Sequence, residues 1–276
     1  MIKSINQWCF KSDTPLEQVM AVSGDAGYGA VELNLYEPGG IGFTMDTTAA
    51  EAEKIGQLAR QHGLQLRSLS TSLLWQYPLS SADDAVREQG RRVVSKQMEI
   101  AELLGIDTVL VVPGSVTAET SYDACYERSH REIRILAEEA EKRGVRIGIE
   151  NVWNRFLLSP LEMARYVDDV GSPNVGVYFD VGNILLYGFP QQWIRILGQR
   201  IFKIHVKDFL TAVGNGNGFV PLLAGNVPWH EVRTALQEIG YTDTITAELG
   251  IYEANPLQLI YDTARHMDII FGGEAR

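Results

Sequence analysis

Short apolar runs recur along the chain, and each follows a polar segment whose apolar positions repeat at helical spacing and which closes on a glycine. The clearest cases are GYGAVELNL, GLQLRSLS, GIDTVLVV, GVRIGIEN and GYTDTITAEL. A glycine carries no Cβ penalty in the left-handed conformation that ends a helix, so each one marks a helix stop ahead of a strand. Between the glycines, the helical segments have one apolar face. Over residues 84–104, Val86, Gly90, Val93, Ile100, Ala101 and Leu104 share a side, while Arg87, Glu88, Arg91, Lys96 and Glu99 fall elsewhere. Over residues 124–143, Cys125, Ser129, Ile133, Leu136, Ala137 and Ala140 do the same, which assigns Cys125 to packing. Apolar runs bounded by turn signals predict eight strands, at residues 4–9, 30–35, 64–69, 108–112, 146–150, 175–180, 202–206 and 244–249. Eight strands alternating with helices predict an α/β fold, a single (β/α)8 TIM barrel over residues 1–276. An open doubly wound sheet would need a glycine-rich loop after its first strand, and SINQWCFKSDTP contains none.

In such barrels the chemistry gathers at the C-terminal ends of the strands. The fifth strand, in GVRIGIEN, closes on Glu150, a carboxylate that needs a partner if buried. The sixth closes on Asp180, the seventh carries His205 and the eighth Glu248, so four potential ligands stand at equivalent heights on four consecutive strands. One shared divalent cation would be the partner of Glu150. Three carboxylates and one imidazole suit Mn²⁺ or Mg²⁺ better than the thiolate sets of structural zinc, with Co²⁺ and Zn²⁺ left open.

Composition narrows the class. The net charge of -11 disfavours binding to nucleic acid, which relies on clustered Lys and Arg, and 45% hydrophobic residues over 276 positions can fill a sizeable core. Cys9 and Cys125 provide neither a disulfide framework nor a metal pair, which fits a reducing compartment, the cytoplasm. The N-terminal MIKSINQWCF has no apolar signal core, and no run approaches a membrane span, so a soluble protein without a targeting sequence is expected.

The motifs GIEN, FDVGN, KIHVKD and AEL, with YPLSSADDAVREQGRRVVSKQMEIAELLGI, resemble the xylose-isomerase-like superfamily of sugar and sugar-phosphate isomerases and epimerases. Within it the chain is most similar to L-xylulose 5-phosphate 3-epimerases and hexulose-6-phosphate isomerase-like proteins. The resemblance implies that Glu150, Asp180, His205 and Glu248 hold one metal ion, with Mn²⁺ the first choice, and that Glu150 and Glu248 also act as acid and base. It implies 3-epimerisation of a ketose or ketose phosphate through a cis-enediolate. Aldose–ketose isomerisation, a dehydratase of the inosose type and a sugar-binding protein without turnover are the alternatives. Homo-oligomers are usual among such enzymes. The related endonucleases and tagatose epimerases carry a histidine three residues after the strand-six aspartate, where this chain has Asn183, which becomes a candidate substrate contact.

Further candidates surround these. Lys207, two residues after His205, faces the same side of a strand and could hold a substrate oxyanion or phosphate, or pair with Asp180 or Asp208. Glu32 could bind a sugar hydroxyl or hold Lys207, with structural pairing as the alternative preferred here, and Arg155 could reach substrate or stand solvated. Trp8, Trp75 and Tyr77 are aromatic residues suited to the walls of a sugar pocket, with packing under the loops as the alternative. TAVGNGNGF, residues 211–219, reads as a long loop or lid that could approach an anion. His230 fits a solvated or capping role, and His62 and His266 carry no signal.

Overall fold

The computed structural model describes residues 1–272. Its eight barrel strands are β1 (Ile2–Asn6), β2 (Ala30–Tyr36), β3 (Ser68–Thr71), β4 (Thr108–Val111), β5 (Arg146–Glu150), β6 (Val175–Asp180), β7 (Ile201–Val206) and β8 (Thr244–Ala247). Each pairs in parallel with its sequence neighbours, and β1 also pairs with β8, which closes the barrel. The helices α1 (Leu16–Asp25), α2 (Ala49–Gln61), α3 (Asp84–Leu104), α4 (Tyr122–Arg143), α5 (Pro160–Val170), α6 (Pro190–Leu197), α7 (Trp229–Glu238) and α8 (Pro256–Phe271) form the outer layer. Strands enclosed on both faces must be apolar nearly throughout, which is why VGVYFD and RIGIE read as unbroken runs.

The glycines that open the five quoted stretches all hold positive φ: Gly27 at 83°, Gly63 at 71°, Gly105 at 70°, Gly144 at 66° and Gly240 at 69°. The helix stops read from them are therefore helix stops. Several strand boundaries move, and three of the shifts bear on the site. The first strand ends at Asn6, because the Asn6 side chain accepts from Trp8 N and turns Gln7–Cys9 into a 3₁₀ turn. The third begins at Ser68, with Gln65 making only an isolated bridge to Ala30. The eighth ends at Ala247, so Glu248 sits just past it. Two short strands, Asp208–Phe209 and Phe219–Val220, pair antiparallel across most of the expected loop at 211–219. On α3, Arg87, placed off the apolar face, is nonetheless buried, since its guanidinium meets Glu132 of α4 at 3.1 Å.

The end of the barrel opposite the strand C-termini is closed by charge. Lys203, on the inward face of β7, is fully buried and meets Asp107 at 3.0 Å and Asp243 at 2.8 Å. Arg67 bridges the same two aspartates at 3.1 and 3.0 Å. Removing one partner of a buried ion pair leaves charge uncompensated, so Lys203→Met should destabilise the fold by about 3–5 kcal/mol in denaturant titrations. Burial raises the Asp243 pKa, but its hydrogen bond to Lys203 and the Lys203 charge outweigh that and bring it down from 3.8 to about 2. A lowered carboxylate pKa stabilises the fold above the unfolded value, and that contribution should disappear as pH falls from about 4 toward 2. In Lys203→Met this part of the acid transition should flatten.

Candidate active site

Glu150, Asp180 and His205 come from β5, β6 and β7, and Glu248 follows β8, so the four groups rise from consecutive strands to the same rim. One ligand atom from each lies within 4.8 Å of all the others. His205 Nδ1 stands 3.0 Å from Glu150 Oε1 and 3.1 Å from Glu248 Oε2. Lys207 Nζ reaches Glu248 Oε2 at 2.8 Å and Asp180 Oδ2 at 3.0 Å, so of the partners open to it from the sequence it takes Asp180. Asp208 instead turns away and accepts from Leu223 N, Val227 N and Trp229 Nε1, fastening the segment that follows the hairpin. Gly182, in the DVGN turn, is required by close approach, because a Cβ there would lie 2.7 Å from the backbone oxygen of Lys207.

The electrostatics describe a pocket with excess negative charge. Burial pushes the Glu150 pKa up to about 7 against the hydrogen bond and charge of His205, and the charges of Glu248 and Asp180 add to the rise. Burial also raises Asp180, with Lys207 opposing it. Glu248 is lowered because the Lys207 charge and the His205 hydrogen bond overcome its burial. Burial disfavours the His205 imidazolium, yet the Glu32 charge and hydrogen bonds to Glu150, Glu248 and Glu32 hold its pKa well above the ordinary range. Asp180 Oδ2 is enclosed, makes no aligned hydrogen bond among the described residues, and meets the Lys207 ammonium at the distance given above. A carboxylate oxygen in that position, with two glutamates and an imidazole nitrogen converging on it, fits a divalent cation of the hard, oxygen-preferring kind.

A cavity of about 200 Å³ opens above these groups, walled by Trp8, Trp75, Trp153, Val112, Asn183 and Phe219. Trp8 and Phe219 also line a larger cleft of about 560 Å³ that leads outward past Leu249 and Tyr252. Trp75 is half exposed at the cavity wall, while Tyr77 packs aside and donates to Glu37 at 3.0 Å. Asn183 ties the ends of two strands together, its side chain donating to Asn151 O at 3.0 Å and its N–H to Asp180 Oδ1 at 2.9 Å. Arg155 lies in a separate cavity with Trp153 and Gly214–Gly216, on a backbone held at φ 59°. His230 is exposed at the start of α7, and His62 pairs with Glu17 at the end of α2.

Glu32 neither touches Lys207 nor reaches the mouth. It is fully buried at the barrel centre, where Oε1 meets His205 Nε2 at 2.7 Å and Asn6 Nδ2 at 2.6 Å, and Oε2 accepts from the hydroxyls of Ser68 and Tyr178. Asn6, Ser68, Tyr178 and Trp153 are among the participants that the sequence did not single out. The signal for Tyr178 was its place two residues before Asp180, on the same face of β6.

Residues 21–269 match the family model described as a xylose isomerase-like TIM barrel. The chain is 27% identical over 244 residues to a protein of Escherichia coli (strain K12) named "Putative L-ribulose-5-phosphate 3-epimerase SgbU", covering 87% of this chain and 85% of that one. It is 23% identical over 224 residues to the L-ribulose-5-phosphate 3-epimerase UlaE of Salmonella paratyphi A, covering 81% and 78%. Among solved structures it shares the fold of an L-ribulose 3-epimerase, with a TM-score of 0.82, 19% identity and coverage of 98% and 94%. A D-psicose 3-epimerase follows, with a TM-score of 0.81, 20% identity and coverage of 99% and 100%. No helix among the described residues is long and apolar enough to cross a membrane.

Proposed function

We propose that this chain, which belongs to the xylose isomerase-like TIM barrel family, is a divalent-metal-dependent epimerase acting at C3 of a five- or six-carbon ketose or ketose phosphate. The observation that carries the reading is the placement of Glu150 and Glu248. They stand on opposite sides of β7, both within about hydrogen-bond reach of one His205 nitrogen. A divalent ion held by Glu150, Asp180, His205 and Glu248 would polarise the sugar carbonyl and its neighbouring hydroxyl, which acidifies the C3–H bond. One glutamate takes the C3 proton and the other returns a proton to the opposite face, which inverts the centre. Lys207 directs its ammonium to the rim beside Asp180 and Glu248, where it can donate to the substrate oxygen that gathers charge. Trp8, Trp153 and Phe219 offer apolar faces to the C–H side of the sugar and keep water from the reacting carbon. The names of the relatives support epimerisation over dehydration or aldose formation, and two buried free thiols, Cys9 and Cys125, suit a cytoplasmic enzyme.

Free and phosphorylated pentuloses and hexuloses, each incubated with Mn²⁺ and followed by NMR, test the reading. A C3 epimer is expected, and a dehydrated ketone or an aldose as sole product would contradict it.

The phosphate, where the substrate has one, is assigned to Arg155. Two carboxylates leave Lys207 one N–H, which the ketose oxygen takes, whereas Arg155 shares its cavity with the open backbone of Gly214–Gly216. A hydrogen bond to a charged group contributes about 1.5–3 kcal/mol, so Arg155→Ala should raise KM for a phosphorylated ketose about 10–100-fold and leave that of the free sugar unchanged. Equal KM values for the phosphorylated substrate in variant and wild type would remove this assignment.

A further inference from the structure

We propose that Glu32 is a positioning residue that locks the His205 imidazole with Nδ1 toward the barrel mouth, by accepting a hydrogen bond from Nε2–H. The two side chains come from β2 and β7, three places apart around the barrel, and both are fully buried. Their 2.7 Å contact therefore crosses the barrel interior directly beneath the ring.

Everything around Glu32 holds it in that role. Asn6 of β1 donates to the same oxygen that meets His205, and Ser68 of β3 and Tyr178 of β6 donate to the other. Both carboxylate oxygens are thus engaged from three strands besides its own and that of His205, and none of the cavities at the mouth is lined by Glu32. The Tyr178 ring also packs against the imidazole, with centroids 4.5 Å apart, and restricts its tilt. A half-turn of the ring about its Cβ–Cγ bond would direct carbon at Glu32 below and at Glu150 and Glu248 above. With the carboxylate in place, one ring orientation alone satisfies both ends. A carboxylate that accepts from the far nitrogen of a ligating histidine orients that ligand and raises its basicity. The consequence for an ion rests on the metal reading above, whereas the hold on the ring does not.

The test uses the full chain as wild type, Glu32→Gln and Glu32→Leu, with fold checked by circular dichroism. In metal-free protein, ¹H–¹⁵N spectra of the histidine rings should show a slowly exchanging, strongly downfield N–H of His205, assigned by its absence in His205→Asn. That signal should disappear in Glu32→Leu and move upfield in Glu32→Gln, whose amide oxygen still accepts but carries no charge. Free Mn²⁺ followed by electron paramagnetic resonance should give a Kd about 10–100-fold weaker in Glu32→Leu, with Glu32→Gln between it and wild type. Should the leucine variant fail to fold, Glu32→Gln decides both readouts. An unchanged ring signal in the variants overturns the hold on His205, and a lost signal with unchanged Mn²⁺ affinity overturns its role for the ion. A wild type that binds no Mn²⁺ removes the metal reading, and the ring signal then decides the proposal by itself.

Discussion

Glu150→Gln and Glu248→Gln are each expected to lower C3 epimerisation about 10²–10⁴-fold, since glutamine keeps the size of the side chain and removes the basicity that proton transfer needs. Inversion requires both faces, so the double variant should be little worse than the more damaged single one, as for groups that act as a unit. Each single variant keeps one working carboxylate and should still exchange the C3 proton of one epimer with solvent without inverting it. Stability separates chemistry from folding. Folding raises the Glu150 pKa, so the ionised form is disfavoured in the native state and replacing it by a neutral isostere should not lower Tm. Near-normal turnover in both single variants would count against two carboxylates sharing the work.

Removing divalent ions by chelation and dialysis should abolish turnover, and Mn²⁺, Co²⁺ or Mg²⁺ should restore it. Asp180→Ala and His205→Ala should each lower metal occupancy measured on the purified protein, because each takes away one of four converging ligand atoms. An ion that binds only the folded chain stabilises it by mass action, by about 2.7 kcal/mol at a hundred times its Kd. The wild-type Tm should therefore rise with Mn²⁺ concentration, and those of the two variants much less. Full occupancy in both variants would overturn the ligand set.

How far the chain could be read without its structure depended on where polarity interrupts an apolar run. Glu150, Asp180 and His205 were legible because a charged or imidazole group inside or closing a doubly buried strand has few harmless explanations. Glu248 was legible by the same rule even though β8 stops one residue earlier. Asn6 was not, because an asparagine near a strand end is also an ordinary turn residue. Tyr178 reads as one more aromatic core residue until its hydroxyl is seen against Glu32. Glu32 was legible as a candidate and as a structurally paired carboxylate, but its partner was not, since nothing local indicates that β2 faces β7 across the barrel. Arg87 and Lys203 were hidden for the same reason, their acidic partners being tens of residues away in the chain.

Proton movement at C3 by two glutamates leaves a label when turnover runs in D₂O. After incubation with Mn²⁺ and the preferred ketose, the product should carry deuterium at C3 and protium at C1. Product formed with no deuterium at C3, or labelled only at C1 or C2, would rule out proton transfer at C3 by Glu150 and Glu248.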